Sequence, residues 1–274
     1  MLDAPTLQQQ VDSLLWYHSI DLGNGVVTRG MSDPDNAVTV EQLTPFAGRS
    51  VLDIGAWDGY YSFLAERLGA SRVVALDHYS WGVDIPARDQ YWAQCRRDGS
   101  LPDHARDMDD FWHADLPGRR GFDLASEALE SHVESIVADF TTVELASLGT
   151  FDVVLYLGVL YHMKEPLACL ERVRAVTREV AVIETAAVRA PSDAGHSLLV
   201  FSAGSEHNCD FGNWYLPNIN ALRALVLAAG FSRCEVAQGP PPARSRWKPG
   251  RVWTRLLDRA RPVEEYRAIV HAYP

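Results

Sequence analysis

The sequence predicts an α/β protein built on a doubly wound, mostly parallel sheet of seven strands. Short apolar runs that are typical of strands alternate with stretches of helical periodicity along the chain. This alternation indicates a parallel sheet with helices on both faces. Strands are predicted at 51–54, 73–77, 133–138, 151–156, 180–183, 233–237 and 265–272, and helices at 7–17, 60–68, 167–175 and 219–229.

Length, composition and charge restrict the class of protein. A chain of 274 residues and 30.4 kDa is long enough for one large α/β domain with insertions. The formal net charge of -11 argues against a nucleic acid as the main ligand, although a local basic patch could override it. No apolar run approaches the roughly 20 residues that span a bilayer, and we see no secretory signal. The four widely spaced cysteines fit a reducing cytosol, so we expect a cytoplasmic protein.

The chain divides into two predicted parts with two irregular segments. Residues 1–47 are expected to form a helix and turns that cover the site, and residues 48–274 the sheet domain. The segment 78–132 is longer than one crossover helix needs and too aromatic for a disordered linker. It predicts a lid or substrate-binding wall, with a purely structural excursion as the alternative. A basic excursion at 239–262 is interpreted as a solvated hairpin, and binding of RNA or an anionic substrate is the alternative.

The first strand-to-helix turn carries the first chemical signal. It reads Asp53-Ile-Gly55-Ala-Trp57-Asp-Gly59 and lies at the carboxyl end of a strand, where open α/β sheets bind ligands. Glycines allow close approach of the backbone, and the helix N-terminus offers N–H groups to a carboxylate. The acid before the glycines suits an ammonium group, and the amino-acid tail of S-adenosylmethionine has both groups. The pattern is not G-x-G-x-x-G, so a dinucleotide is poorly supported.

Two further strands end in acids that could hold a nucleoside. Asp77 follows the second strand, where a carboxylate can accept hydrogen bonds from both ribose hydroxyls, and His78 lies beside it. Asp139 follows the third strand, where it could accept from an adenine amine while Phe140 stacks on the base. The alternatives are structural: Asp77 could cap a helix, and Asp139 could cap a loop beside a core phenylalanine.

The block around the fourth strand resembles a known family. Phe151-Asp-Val-Val-Leu-Tyr-Leu-Gly-Val-Leu-Tyr-His162, continuing Met-Lys-Glu-Pro166-Leu, is similar to the matching block of class I methyltransferases related to the bacterial tRNA wobble-uridine carboxymethyltransferase. Glu184-Thr185, Asn213-Trp-Tyr-Leu-Pro217 and Ala-Gly230-Phe match as well. The resemblance covers roughly two-thirds of the chain. It implies a Rossmann-like methyltransferase sheet and S-adenosyl-L-methionine as the cofactor.

Individual residues follow from the resemblance. Tyr161 falls where a tyrosine of the family holds a carboxylated form of the cofactor. Ordinary S-adenosylmethionine is favoured because Trp57 replaces the usual middle glycine, the long insertion is a departure, and only Arg29 and Arg267 are conceivable partners for the extra carboxylate. The resemblance implies cofactor contacts at Asp53, Gly55, Asp77, Asp139, Phe140 and Leu157, and Gly59 and His78 complete the predicted cofactor site.

Two residues past strand ends are predicted to act on the acceptor. Methyl transfer is an in-line displacement, so the protein has to align the acceptor and remove its proton. His162 is the predicted general base, because an imidazole titrates near neutral pH. Glu184 is predicted to accept a proton or to orient an ammonium group. Each has a structural alternative, a loop-fixing hydrogen bond for His162 and a cap for Glu184.

Aromatic residues complete the candidate site. Aromatic rings could line the sulfonium through cation–π attraction, although each ring could equally belong to the core. The rings considered are those of Trp16, Tyr17, His18, Tyr60, Tyr61, Tyr156, Trp214 and Tyr215. The predicted substrate-binding residues are Trp16, Tyr17, Tyr161, Trp214 and Tyr215. No metal is predicted, because the spacing of His196, His207, Cys209 and Asp210 matches no metal site.

The sequence therefore predicts a methyltransferase that acts on an oxygen or nitrogen atom of a small-molecule metabolite. One alternative is a tRNA-modifying (carboxy)methyltransferase, which would use the basic excursion. The other is a protein of the same fold that binds the cofactor without catalysis. The acceptor and the oligomeric state remain open.

Overall fold

A seven-stranded sheet forms the centre of the computed structural model, which describes residues 4–32, 37–189, 195–202, 204–205, 207–241 and 263–274. In chain order the described strands are β1 Ser50–Ile54, β2 Arg72–Asp77, β3 Glu134–Val137, β4 Phe151–Leu157, β5 Thr177–Arg189, β6 Leu199–Phe201, β7 Tyr215–Pro217, β8 Arg233–Gln238 and β9 Glu264–Tyr273. The sheet order is β3-β2-β1-β4-β5-β9-β8, with β1 to β5 parallel and β9 antiparallel to both neighbours. This order confirms the predicted fold class.

Helices cover both faces of the sheet. The described α-helices are α1 Ala4–Asp12, α2 Tyr60–Arg67, α3 Tyr79–Gly82, α4 Ile85–Asp98, α5 Arg106–Asp109, α6 Arg120–Ala128, α7 Leu145–Leu148, α8 Pro166–Val176 and α9 Ile219–Ala228. Successive side chains of a strand point to opposite faces. Leu52 of β1 therefore packs in a core with Leu170 of α8 and Leu222 of α9, whereas Val51 packs in a second core with Leu64 of α2.

The predicted strands and helices are present, with two notable differences in their bounds. The fifth strand continues beyond 183 to Arg189, because its outer half pairs with β9 as far as Glu264. The first helix ends at Asp12 rather than at residue 17, because the chain folds back there. Trp16 Nε1 donates to the Val11 carbonyl oxygen at 3.0 Å.

The insertion at 78–132 is folded and packs on the sheet domain. It contains α3 to α6, and its Trp81, Trp92 and Phe122 side chains are almost fully buried. Trp112 packs directly against the Gly82 backbone. These contacts place the insertion next to the end of β2, beside the first strand-to-helix turn.

The basic excursion lies mostly outside the described residues, which stop at 241 and resume at 263. In the part of the chain that the structure describes, no helix combines the length and the apolar character needed to cross a membrane.

Gly82→Ala is expected to destabilise the fold, because the insertion leaves no space for a methyl group. An added Cβ would lie 1.9 Å from Trp112 Nε1, whose N–H donates to the His78 carbonyl oxygen at 3.2 Å. Urea denaturation should show a loss of about 1–3 kcal/mol in the free energy of unfolding. Gly239→Ala is the control, since the added Cβ there only touches Val236 Cγ1 at 3.4 Å. Equal losses in the two variants would contradict the tight packing.

Candidate active site

A cavity of about 1090 Å³ lies at the carboxyl ends of β1, β2, β4 and β5. This is the end of a doubly wound sheet where ligands bind. The predicted site residues that line it are Tyr17, Asp53, Gly55, Asp77, His78, Asp139, Phe140, Leu157, Tyr161, His162, Glu184 and Trp214.

Three predicted site residues do not line this cavity. Gly59 has φ +83°, and a Cβ there would lie 2.7 Å from the Phe122 ring, so this glycine shapes the turn. Trp16 is only 2% exposed and belongs to the core beneath the N-terminal segment. Tyr215 pairs with Phe201 in the β6–β7 ladder. The structure thus corrects the substrate contacts predicted for Trp16 and Tyr215, because packing holds both elsewhere.

Left-handed backbone at three positions, Gly55, Trp57 and Gly59, shapes the first turn. Gly55 has φ +80°, and a Cβ there would lie 2.6 Å from Val159 Cγ2, so only glycine fits. Trp57 has φ +45° at the position where the resembling enzymes have glycine. This conformation costs a non-glycine residue roughly 1–2 kcal/mol.

Three contacts hold Trp57 in this conformation. Its N–H donates to Asp77 Oδ2 at 3.0 Å, and its carbonyl oxygen accepts from Trp81 Nε1 at 2.6 Å. Its ring stacks on Tyr17 with centroids 4.4 Å apart and planes 14° apart. The turn therefore joins the sheet, the insertion and the N-terminal segment.

Asp53 and Asp77 bring two buried carboxylates to the cavity. Asp53 accepts a hydrogen bond from the Ser62 hydroxyl at 2.6 Å, and burial raises its pKa to about 6. Asp77 Oδ1 accepts from the Ser80 N–H at 3.0 Å, and burial raises its pKa as well. A carboxylate has about four acceptor sites. Asp77 can therefore orient the turn and still accept hydrogen bonds from a ligand.

Asp139 and Phe140 reach the cavity from the end of β3, as predicted. Asp139 Oδ1 accepts from the Thr141 N–H at 2.8 Å, which caps the loop. Phe140 packs beside Tyr156 with ring centroids 6.3 Å apart. Both residues thus have the structural contacts of the alternative interpretation as well as a place in the cavity wall.

One buried carboxylate that the sequence analysis did not single out attaches the N-terminal segment to the first turn. Asp58 Oδ2 accepts from the N–H groups of Tyr17 at 2.9 Å and His18 at 2.6 Å. Asp58 Oδ1 contacts His18 Nδ1 at 2.6 Å, and the imidazole stacks on Tyr60. The sequence could have indicated this residue only as an acid next to Gly59, because the partners of Asp58 lie about 40 residues away in the sequence.

Glu184 forms a buried ion pair with Arg267, the residue that the sequence offered as a conceivable partner for the extra carboxylate of a carboxylated cofactor. Arg267 Nη2 contacts Glu184 Oε2 at 2.6 Å, and Arg267 Nε contacts the other carboxylate oxygen. The guanidinium also lies over the Tyr161 ring, 5.0 Å from its centroid. Burial raises the pKa of Glu184, and Arg267 opposes this shift. Arg29 is exposed and does not line the cavity.

His162 has one ring nitrogen fixed by the backbone. Its Nδ1 lies 2.9 Å from the Gly212 carbonyl oxygen, which requires the proton on Nδ1 and leaves the Nε2 lone pair free to accept. Burial lowers the pKa of His162, and the negative charge of Asp210 partly offsets this shift. This lowered pKa favours the neutral imidazole, which is the form that a general base requires.

Comparison with known proteins identifies the family. Residues 35–235 match the family model described as a methyltransferase domain. The chain belongs to this family. Membership confirms the predicted class I methyltransferase and its cofactor, S-adenosylmethionine.

The methyltransferase has curated relatives and structural neighbours. The tRNA U34 carboxymethyltransferase of Pseudomonas savastanoi pv. phaseolicola is 30% identical over 193 residues, 68% of this chain and 47% of that protein. The enzyme of the same name from Idiomarina loihiensis is 24% identical over 240 residues, 84% of this chain and 62% of that protein. The chain thus spans about half the length of these relatives.

Solved structures share the fold of the methyltransferase. The N-terminal domain of EvdMO1 with SAH bound aligns with a TM-score of 0.63 at 18% identity, over 100% of this chain and 98% of that chain. The same domain in the presence of SAH and D-fucose gives a TM-score of 0.61 at 19% identity, over 100% and 97%. At these identities the likeness concerns the fold.

The residues of the cavity fit S-adenosylmethionine. Gly55 is exposed on the cavity wall, where a ligand can contact its backbone, and the buried acids Asp53 and Asp77 suit a ligand with positive charge and hydroxyl groups. Within the described ranges, no group of three or more His, Cys, Asp or Glu side chains is arranged to hold a metal ion.

Substitutions at Trp57 test the left-handed turn. Trp57→Ala removes the stacked ring but keeps the cost of the conformation, whereas Trp57→Gly removes both. We expect the glycine variant to be the more stable by about 1 kcal/mol in urea denaturation. Ala65 in α2 is the control, because Ala65→Gly in a right-handed helix should lower stability by about 1 kcal/mol. Greater stability of Trp57→Ala than of Trp57→Gly would contradict this conformation.

Proposed function

We propose that this methyltransferase modifies an oxygen or nitrogen atom of a small-molecule metabolite enclosed in the cavity. The observation that carries the proposal is the position of the His162 imidazole, whose Nδ1 contacts the Gly212 carbonyl oxygen in the cavity that the predicted cofactor residues also line. The insertion and the N-terminal segment contribute walls such as Trp92 and Tyr17, which suit a small acceptor. The EvdMO1 domain, which shares the fold, was crystallised in the presence of D-fucose, a small molecule.

Different residues of the cavity are suited to different parts of the cofactor. Asp53 is suited to the ammonium group, and Asp77 to the ribose hydroxyls. Asp139 is suited to the adenine amine and Phe140 to the adenine ring, while Gly55 and Leu157 allow the backbone to approach. His78 lines the same wall. When bound, S-adenosylmethionine supplies a methyl group on a sulfonium, and this carbon–sulfur bond breaks as the acceptor bond forms.

The chain itself has to position the acceptor and remove its proton. His162 Nε2 takes this proton, while Nδ1 keeps its contact with Gly212. Glu184 acts as a positioning residue, because both carboxylate oxygens are engaged by Arg267. The ion pair between Glu184 and Arg267 places the guanidinium over the Tyr161 ring and so fixes this part of the cavity wall. Tyr17 and Trp214 add aromatic surface for the acceptor or the sulfonium.

A tRNA-modifying (carboxy)methyltransferase is the second candidate, supported by the curated relatives and by the contact of Arg267 with Tyr161. Two observations favour ordinary S-adenosylmethionine and a small acceptor. Arg267 is already paired with Glu184, and Arg29 does not line the cavity. The net charge of -11 also disfavours a polyanionic partner. The four cysteines are free thiols, which fits action in the cytoplasm.

Binding and turnover assays separate these functions. Calorimetry with S-adenosylhomocysteine should show binding, and labelled methyl transfer to a panel of hydroxyl and amine metabolites should show turnover. Absence of S-adenosylhomocysteine binding would contradict the proposal that the chain is a methyltransferase. Salt-dependent tRNA retention, with loss of modified tRNA in a deletion strain, would establish the second candidate instead.

Asp77→Asn should weaken the binding of S-adenosylhomocysteine by about 10- to 100-fold. The amide has one acceptor oxygen and no charge, and hydrogen bonds to charged groups contribute about 1.5–3 kcal/mol each. Calorimetry measures the affinity. Asp12→Asn on the exposed side of α1 is the matched control and should bind like the wild type. Equal affinities of both variants would refute the role of Asp77.

His162→Gln should lower kcat by about 100-fold or more, within the range for loss of a general base, while the affinity for S-adenosylhomocysteine stays within about threefold. The base acts when neutral, so wild-type kcat should fall as the pH decreases through the pKa of His162. Burial lowers that pKa below its usual 6.5, so the fall should begin in mildly acidic buffer. A pH–rate profile of both proteins checks this; an acidic limb that persists in the variant would assign it to another group.

A further inference from the structure

We propose that the insertion and the segment before β7 form a subsite for a neutral, hydroxyl-rich acceptor such as a sugar ring. This inference rests on the proposed small-molecule function and specifies its substrate class. In the described part of the chain, four residues that line the cavity bury a polar atom without a hydrogen-bond partner. One is the hydroxyl of Tyr156, a core residue of β4. The other three are Trp92 Nε1, Asp107 Oδ1 and Asn213 Oδ1. These three residues are 2%, 6% and 1% exposed, respectively.

The three residues are parts of one cluster. His104 connects them: its ring centroid lies 6.1 Å from that of Trp92 and 4.9 Å from that of Trp214, which follows Asn213 in the chain. His104 Nδ1 also lies 3.4 Å from Asp107 Oδ2. We call these five residues the acceptor subsite. Trp92, His104 and Asp107 come from the insertion, and Asn213 and Trp214 from the segment before β7.

The unpartnered atoms define the chemistry of the ligand. Buried polar groups are almost always hydrogen-bonded, so three exceptions around one cavity indicate a missing partner. Asp107 and Asn213 offer acceptors and require O–H or N–H donors, whereas Trp92 offers a donor and requires an oxygen. A hydroxyl group does both. The rings of His104 and Trp214 provide flat faces for the C–H groups of a ring.

The charges near the acceptor subsite favour a neutral ligand over an anion. The unpartnered Asp107 oxygen would repel an anion. The buried guanidinium of Arg88 is already bonded to Asp89 and the Tyr79 hydroxyl, and Arg96 donates to a backbone carbonyl oxygen. Lys164 lies over the Trp214 ring, 4.9 Å from its centroid. Because the Lys164 ammonium group could attract an anion, the experiment below includes an anionic probe.

The acceptor subsite adjoins the proposed base. The Gly212 carbonyl oxygen lies 2.9 Å from His162 Nδ1. A Cβ built on Gly212 would lie 3.3 Å from the Trp92 ring and 3.7 Å from His162 Nδ1. Gly212 therefore lies between the Trp92 ring and the His162 imidazole, so the acceptor subsite and the proposed base belong to the same part of the cavity wall.

The test uses the full chain saturated with S-adenosylhomocysteine. Saturation-transfer NMR is recorded with methyl α-D-glucopyranoside and D-fucose, with cyclohexanol as the probe with one hydroxyl and cyclohexanecarboxylate as the anionic probe. We expect signals from at least one sugar and none from the carboxylate. Binding of S-adenosylhomocysteine without either sugar, or of the carboxylate alone, overturns this inference only. Failure to bind S-adenosylhomocysteine overturns the proposed function itself.

Two variants test whether the unpartnered atoms bind the sugar. Trp92→Phe keeps a ring but removes the N–H, so we expect at least fivefold weaker sugar binding with no loss of thermal stability. The control is Trp112→Phe in the same insertion, whose Nε1 bonds the His78 carbonyl oxygen; it should be less stable and bind the sugar normally. Asp107→Asn is the second variant and should also weaken sugar binding. Unchanged sugar affinity in both subsite variants would overturn the inference.

Discussion

The left-handed turn at Trp57 is the constraint on which the cavity depends. A glycine would adopt this conformation at little cost, whereas tryptophan needs compensation. The compensation comes from three parts of the chain, through Asp77 at the end of β2, Trp81 in the insertion and Tyr17 in the N-terminal segment. The residue that makes the turn unfavourable thus also attaches the segments that enclose the cavity. A glycine at this position would keep the two backbone hydrogen bonds, to Asp77 and from Trp81, but would lose the stacking that attaches Tyr17.

Asp58 also attaches the N-terminal segment to this turn, through hydrogen bonds to its carboxylate. It lies next to Trp57 and is 1% exposed, and it accepts hydrogen bonds from two backbone N–H groups and contacts the His18 ring. A buried carboxylate needs such partners, because removing them would leave an uncompensated charge. Consecutive residues of the turn, Trp57 and Asp58, thus hold consecutive residues of the N-terminal segment, Tyr17 and His18. The walls of the cavity and the turn that we propose to bind the cofactor are therefore one structural unit.

The sequence predicted the fold and the strand-end acids because both are local signals. Apolar periodicity defines each strand, and Asp53 and Asp77 directly follow theirs. The pair of Glu184 with Arg267 was not predictable in this way, since 83 residues separate the partners. Trp16 shows the opposite failure: an aromatic residue near a site suggests contact, but only packing reveals that it is buried in the core. The unpartnered atoms of the acceptor subsite are likewise invisible in the sequence, because absence of a partner is a property of the folded chain.

Burial shifts the pKa values of the acids and of the proposed base of the cavity in opposite directions. It raises the pKa of Asp53 and Asp77 and lowers that of His162, because a site removed from water disfavours every charged form. A positive charge bound beside the two acids favours their ionised forms and stabilises the complex. The same positive charge disfavours protonation of the imidazole. If these residues act as proposed, cofactor binding would favour the neutral form of the base through the electrostatics of one cavity, without any change in the contact between His162 and Gly212.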